Sequence, residues 1–354
     1  MKHLHLFTAD EKQKFSIPFI NLIEQKFNST EHFFIMLEKS KKDKLNLREN
    51  MKYMHKNFSD VLFLIGKLYK SDKVYIHGLN SYYLIFLLFI QPWLLRKCNW
   101  IIWGGDLYFY KNRPIDFKSN LKEWVRNFVI KNMGGLITQI KGDYELAQKW
   151  YGAKGKYYYS FVYPSNLFKE YDLKEIKKYD EKIYIQIGNS ACNTNEHIEV
   201  FEKLSKYKNE NILIICPLSY SGKEDYIDKV IECGVSIFGE DKFMPITEFV
   251  PFDEYLELLA KVDIAIFNHT RQRGLGNITT LLGLGKKVYI REEITTWSFC
   301  IDHNLKVYSA NAGFEDLFEK IDENIKERNI KNIKKKFSEK KLIEDLMIIF
   351  SEEN

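Results

Sequence analysis

The residues with the most chemical potential sit where an apolar run gives way to glycine. Arg271-Gln272-Arg273-Gly274-Leu275-Gly276-Asn277-Ile278 follows the run Asp263–Phe267 and precedes the apolar stretch Ile278–Leu284. Glycine lets a chain turn sharply and come close to a ligand. A helix starting there offers unpaired N–H groups and a partial positive charge to a diphosphate. Arg271 and Arg273 add fork-shaped donors for phosphate oxygens. Two solvated arginines on a tight turn are the plainer reading, and the strand–turn–helix setting favours the anion site.

A second stretch, Gln186-Ile187-Gly188-Asn189-Ser190, runs on through Ala191–Asn193 to Thr194-Asn195-Glu196-His197. Gly188 permits close backbone approach, and Asn189 and Ser190 supply neutral hydrogen bonds. Asn193 or Thr194 can cap the following helix. Ordinary capping accounts for these residues as well as ligand binding does, and His197 reads equally as a packed histidine or a ligand contact. Beyond the run Lys287–Ile290, Arg291-Glu292-Glu293 places carboxylates able to accept two hydrogen bonds from a sugar diol, or merely to solvate the surface.

A third stretch, Trp100-Ile101-Ile102-Trp103-Gly104-Gly105-Asp106, sets an aspartate after a glycine pair. Asp106 is a candidate general base, a role that requires it to stand about 2.6–3.2 Å from an attacking hydroxyl. It is equally suited to capping a helix or pairing with arginine. His77-Gly78 ends another apolar run and gives an alternate base. No Asp-x-Asp pair is present for a bridging cation. A Walker loop, a Gly-x-Gly-x-x-Gly turn and a Gly-x-Ser-x-Gly elbow are missing too, which weakens NTPase, dinucleotide oxidoreductase and hydrolase readings.

These stretches need elements that bring them to one edge. Short apolar runs alternate with helical patterns along the chain, the signature of βαβ units and parallel sheets. Strands are predicted over His3–Thr8, His32–Leu37, Lys73–Leu79, Trp100–Gly105, Gly135–Ile140 and Tyr157–Val162, then Lys182–Gly188, Asn211–Pro217, Val235–Phe238, Asp263–His269 and Lys287–Ile290. Leu121, Trp124, Val125, Phe128 and Val129 recur at helical spacing and predict a core-facing stripe. The expected fold class is α/β, with two Rossmann-like doubly wound domains facing a central cleft at their strands' carboxyl ends. Boundaries are expected at 1–165, a polar linker at 166–181, 182–314, and a Lys-rich helical tail at 315–354.

At 354 residues the chain suits two domains. Its 53 basic and 48 acidic residues leave a net charge of +5, too evenly mixed for a nucleic-acid footprint. An anionic substrate or an anionic membrane face fits better. Five cysteines, odd in number and far apart, read as reduced cytosolic thiols. No apolar run near the N-terminus is long enough for a secretory signal. Tyr82–Leu95 falls short of a membrane span and is broken by Gln91-Pro92, so a buried or surface-docking helix is expected. The Lys-rich 326–341 segment is another candidate for anionic lipid, or a solvated helix face.

The motifs HGLN (77–80), WIIWGGDLY (100–108), KGDY (141–144), GNS with NEHI (188–190, 195–198), RQRGLG (271–276) and REE with Trp297 resemble one family. It is the TDP-N-acetylfucosamine:lipid II N-acetylfucosaminyltransferases of enterobacterial common antigen synthesis, glycosyltransferase family 56. The likeness is densest over 74–110 and 183–299; the family's Ala in WGAD is Gly105 here, and its acidic residue after GNS is replaced by Ala191-Cys192-Asn193. The resemblance implies a GT-B fold, no obligatory metal or cofactor, and transfer of an acetamido-deoxyhexose from a dTDP-sugar to an undecaprenyl-diphosphate-linked saccharide. It implies a peripheral place on the cytoplasmic face of the inner membrane. It assigns His77, Gly78, Trp103, Gly104 and Asp106 to the acceptor side, with Gly105 beside them. To the donor side it assigns Gly188, Asn189, Ser190, Asn195, Glu196, His197, Arg271, Gln272, Gly274 and Gly276. Arg273, Asn277, Glu292 and Glu293 join the donor set from the reading of the residues. Two rival readings are a nucleotide-sugar epimerase of the same two-domain fold and a non-catalytic scaffold of a glycan-assembly complex.

Overall fold

A computed structural model describes residues 1–9, 13–37, 48–54, 57–168 and 180–351. The chain divides into two compact units, Met1–Leu167 with Glu339–Asn354, and Phe168–Ser338. Most of the expected linker, 169–179, lies outside the described residues.

The first unit holds β1 (His3–Phe7), β2 (His32–Met36), β3 (Met51–Tyr53), β4 (Lys73–His77), β5 (Cys98–Ile101), β6 (Gly135–Ile137) and β7 (Lys156–Tyr158). All pair in parallel, in the order β3-β2-β1-β4-β5-β6-β7. Its helices are α1 (Ser16–Lys26), α2 (Phe58–Lys70), α3 (Tyr82–Phe89), α4 (Gly105–Asn112), α5 (Phe117–Asn132) and α6 (Lys141–Tyr151). Strand alternation sends Leu4 and Leu6 into one core with Leu64 and Leu68 of α2, Leu84 and Leu88 of α3, and Val129 and Ile130 of α5. The intervening His3 and His5 face the other way, against Phe19 of α1 and Phe350 of the chain's closing helix.

The second unit holds β8 (Ile183–Ile187), β9 (Ile212–Pro217), β10 (Phe243–Ile246), β11 (Ile264–Phe267), β12 (Lys287–Ile290) and β13 (Tyr308–Ser309), parallel and in the order β10-β9-β8-β11-β12-β13. Its helices are α7 (His197–Leu204), α8 (Glu224–Phe238), α9 (Phe252–Lys261), α10 (Leu275–Gly283), α11 (Thr295–Asp302) and α12 (Glu323–Lys336). The expected tail is split. Residues 315–338 belong to this unit, while α13 (Glu339–Ser351) returns to the first. There Lys73 Nζ and the Tyr75 hydroxyl each donate to the Ile349 carbonyl at 3.2 Å.

Four expectations are corrected. Val235–Phe238 is the last turn of α8, because Val230, Gly234 and Phe238 recur at four-residue spacing on its buried side. The strand missed beside it, β10, carries Pro245, which a sheet tolerates at this edge position. The strand expected to Gly105 stops at Ile101, and α4 begins at Gly105. On α5, Leu121 and Trp124 are 53% and 60% exposed, whereas Glu123, Arg126, Val129 and Ile130 are buried. Among the described residues no helix is long and apolar enough to cross a membrane.

Candidate functional site

Both sheets reverse strand order between two neighbouring strands, and in open α/β sheets ligands bind outside the carboxyl ends there. In the second unit those strands are β8 and β11, so Gly188 and the 268–274 loop emerge side by side. Gly188 and Gly274 have φ of +67° and +68°. A Cβ on Gly188 would lie 2.6 Å from His197 Nε2, and one on Gly274 would lie 3.0 Å from His269 Cε1 and 3.2 Å from Asn189 Oδ1. Both conformation and space therefore demand glycine.

Buried Asn195 ties these loops together. Its Oδ1 accepts from the Asn189 N–H at 3.1 Å and lies 2.8 Å from His269 Nε2, while its Nδ2 donates to Ser190 Oγ at 3.2 Å and to the Cys192 carbonyl at 2.8 Å. Oδ1 can only accept, so His269 carries its proton on Nε2 and leaves Nδ1 a bare lone pair. Burial, with the Arg273 guanidinium adding to it, pushes His269 down to about 3, so the ring is neutral. His197 Nδ1 lies 3.1 Å from the Tyr226 hydroxyl, and burial pushes that ring down to about 4. Asn189 Oδ1, His197 Nε2 and His269 Nδ1 are buried and have no hydrogen-bond partner.

The start of α10 opens beside these unpaired atoms. Gly274 is its N-cap, and no side chain caps the helix. Its first amides therefore lack intrahelical acceptors. Gly276 is exposed, and nothing stands within 4 Å of where its Cβ would be. Asn277 is fixed by the Tyr255 hydroxyl, which donates to its Oδ1 at 2.7 Å. Arg271, Gln272 and Arg273 are half-buried on the turn. Arg273 donates to Ser221 Oγ at 3.0 Å, and Arg271 reaches the Gln272 carbonyl at 3.5 Å. The open turn combines amide donors with two guanidinium groups, a set suited to a diphosphate.

Two expected donor contacts follow β12 and hold Asn311. Glu292 and Glu293 are exposed and clasp Asn311: the Glu292 N–H donates to its Oδ1 at 3.2 Å, and Glu293 Oε1 accepts from its Nδ2 at 2.8 Å. Glu196 holds φ of +50° as it starts α7, a turning position. Arg291, by contrast, donates to Asn268 Oδ1 at 3.1 Å and pairs with Glu199 at 2.6 Å, bracing the loop after β11.

In the first unit the reversal lies between β1 and β4, where Thr8 Oγ donates to the Gly78 carbonyl at 2.6 Å. Asp106 is 2% exposed, and both its oxygens are occupied. Oδ2 accepts from Leu79 N at 2.8 Å and Trp100 Nε1 at 2.7 Å; Oδ1 accepts from Trp103 N at 2.9 Å and Leu107 N at 3.0 Å. Arg126 then donates to the carbonyls of Asp106 and Leu79. Asp106 is thus a clamp joining the 78–80 and 102–107 loops, and the assignment as an accessible base is corrected: four N–H groups fill the lone pairs that a base would need. His77 is corrected likewise. It is fully buried, with Nε2 3.2 Å from His5 Nδ1 and Nδ1 2.7 Å from the Tyr163 hydroxyl.

The line continues from His5 Nε2 to His32 Nδ1 at 3.0 Å, and at its other end Trp103 Nε1 donates to Tyr163 Oη at 2.8 Å. Burial holds His5 and His77 well below the ordinary imidazole value, His32 at about 3 and His3 at about 4. Val162, just before Tyr163, holds φ of +57°, a conformation costing a β-branched residue about 1–3 kcal/mol. Gly104, with φ of +79°, caps α4, and Gly105 is open on its Cβ side.

Residues 12–337 match the family described as 4-alpha-L-fucosyltransferase, glycosyl transferase group 56. The chain belongs to that glycosyltransferase family. Its fold is also that of GT-B enzymes. A structure of Anabaena HepE with UDP superposes with a TM-score of 0.73 at 13% identity, covering 99% of this chain and 100% of that one. A glycosyltransferase from Rickettsia africae gives 0.66 at 14%, covering 99% and 98%. A UDP-forming trehalose-phosphate synthase from Burkholderia xenovorans gives 0.68 at 7%, covering 100% and 99%.

Within this glycosyltransferase, the structure brings Gly188, Asn189, Ser190, Asn195, His197 and Gly274 into one cluster. It gathers Gly78, Trp103, Gly104 and Asp106 around the ends of β4 and β5. Sequence reasoning passed over His269, Asn268, Tyr163, His5 and Arg126. His269 had a signal, since it closes the predicted strand Asp263–His269; Tyr163 and Arg126 had none, being placed by tertiary contacts. Among the described residues no group of three or more His, Cys, Asp or Glu is arranged to hold a metal ion.

Proposed function

We propose that this glycosyltransferase moves an acetamido-dideoxyhexose, of the 4-acetamido-4,6-dideoxygalactose type, from a dTDP-sugar to an undecaprenyl-diphosphate-linked saccharide in bacterial surface-glycan synthesis. The proposed workplace is the inner face of the cytoplasmic membrane. The observation that carries the donor half is the uncapped start of α10, open at Gly276 and bordered by two arginines and unpaired buried polar atoms. Family membership supports a deoxyhexose as the transferred group. The HepE structures with UDP and UDP-glucose support a nucleoside diphosphate as the leaving group.

In this reading the amides of α10 and Arg271 receive the diphosphate. The sugar C1–O bond to phosphate breaks, its electron pair stays on the diphosphate, and a new C1–O bond forms to the acceptor, whose hydroxyl proton passes to the departing diphosphate. Donors already aimed at the leaving oxygens stabilise the charge that builds there. His269 Nδ1 and Asn189 Oδ1 are acceptors placed for hydroxyl or amide groups of the donor, and the unpaired His197 Nε2 adds a further polar contact. Asp106 and His77 act as positioning residues, shaping the Gly78 and Trp103–Gly105 edge for the acceptor.

The test is incubation of purified protein with dTDP-sugar and a lipid-linked acceptor. Acceptor-dependent release of dTDP supports transfer. Isomerised sugar without acceptor replaces it with an epimerase, and binding without turnover with a scaffold.

A further inference from the structure

The helices of the first unit leave a broad apolar face uncovered. Of the 18 large apolar side chains exposed among the described residues, 11 lie between Phe58 and Trp124. They are ordered. Phe86, Ile90 and Trp93, 54–61% exposed, form one stripe along α3 and the 3-10 turn Pro92–Lys97 that follows it. Phe117, Leu121 and Trp124, 53–86% exposed, recur at four and three residues along α5 and form a second. The two stripes are adjacent: the Phe89 ring meets that of Trp124 at 5.5 Å, and Lys122 Nζ stands 4.9 Å from the Tyr82 ring centre.

Charge on this face is predominantly positive. Residues 82–132 hold eight Lys or Arg (96, 97, 111, 113, 118, 122, 126, 131) against three acids (106, 116, 123). Asp106 and Glu123 are buried, and Asp116 is engaged in capping α5 through the Ser119 N–H at 2.8 Å. Arg96, Lys111, Lys118, Lys122 and Lys131 are exposed. A second copy of the chain would bring five exposed Lys or Arg on each side to a twofold contact with Asp116 as the one exposed acid of residues 82–132 to meet them. An anionic bilayer answers both features: tryptophan and phenylalanine settle at the headgroup boundary, and lysines reach phosphate.

We infer that the face built by α3, the Pro92–Lys97 turn and α5 docks on an anionic phospholipid surface. The face is coupled to the acceptor edge, because Arg126 of α5 donates to the carbonyls of Leu79 and Asp106. Docking would therefore hold the 78–80 and 102–107 loops beside the surface where a lipid-carried sugar resides. Only this purpose rests on the proposed transfer reaction; the docking itself is measured without donor or acceptor, so the two readings fail separately.

Co-sedimentation with vesicles of phosphatidylglycerol mixed with phosphatidylcholine, against phosphatidylcholine alone, tests it. The protein should partition to the mixed vesicles, weaken in high salt, and show quenching of tryptophan fluorescence by brominated lipid. Ile115→Glu with Phe117→Glu, both at almost fully exposed positions, should lower partitioning about tenfold or more with an unchanged melting temperature, and Lys118→Glu with Lys122→Glu should act in the same direction. Equal partitioning to neutral vesicles, no partitioning, no quenching in wild type, or variants that bind like wild type would each overturn the inference. So would a dimer that hides this face without vesicle binding.

Discussion

Asn195 Oδ1 stands 2.8 Å from Nε2 of His269, 74 residues away, and this one contact fixes which ring nitrogen is bare at the donor loops. Asn195→Ala would leave the Asn189 N–H and the His269 Nε2–H buried without acceptors. We expect a stability loss of about 2–4 kcal/mol and a raised KM for donor. Denaturant unfolding and donor titration check both. A variant as stable as wild type would show that the hub is dispensable.

Asp106 distinguishes a clamp from a base. Asn at this position turns one acceptor oxygen into a donor that faces N–H groups, so Asp106→Asn should cost about 3 kcal/mol or more in unfolding free energy. Loss of turnover with full stability would restore the catalytic assignment.

Acid should destabilise the first unit early. His3, His5, His32 and His77 all sit below the ordinary imidazole value of 6.5, chiefly because burial disfavours the charged ring. Lys73 and Lys2 add to the effect at His3, while Glu31 and Asp72 oppose it. The unfolded chain therefore binds protons first as pH falls. Stability is fully present above about pH 6.5 and declines toward pH 4, with a slope of up to about 1.4 kcal/mol per pH unit for each fully buried histidine. Melting temperature against pH measures this, and His5→Phe should flatten the curve. A melting temperature unchanged from pH 7 to pH 5 would contradict it.

Much of the frame was legible because its strands are short apolar runs bounded by polar residues or glycine: β4, β8, β11 and β12 lie inside their predicted spans. The second sheet's edge strands were not, since Pro245 breaks the pattern of β10 and Tyr308–Ser309 is too short to show one. The alternation of Leu4 and Leu6 with His3 and His5 carried the two faces of β1, yet whether those histidines would meet His32 and His77 depends on strand order. Asp106 misled because a carboxylate after a glycine pair looks the same for a base and a clamp; only the donors contributed by Leu79, Trp100 and Trp103 separate them. On α5 the apolar spacing held for Val125, Phe128 and Val129, which pack on the core, but not for Leu121 and Trp124, because buried Arg126 and Glu123 take inward positions.

Arg271→Ala should raise the donor KM about 10- to 100-fold, the scale of lost charge-assisted hydrogen bonds, with little change in melting temperature. Arg273→Ala should weaken binding less, since its guanidinium also braces Ser221. Initial rates over a donor series give both values; equal KM for wild type and Arg271→Ala would remove that guanidinium from the site.

The most direct measurement is calorimetric titration of dTDP, and of UDP in parallel, into wild type and Gly276→Asp. The new carboxylate would occupy the open helix start, where a negative charge favours the helix but competes with phosphate. Nucleotide affinity should fall about tenfold or more while the melting temperature holds or rises. Undiminished nucleotide binding by a folded Gly276→Asp protein would contradict the placement of the diphosphate at α10.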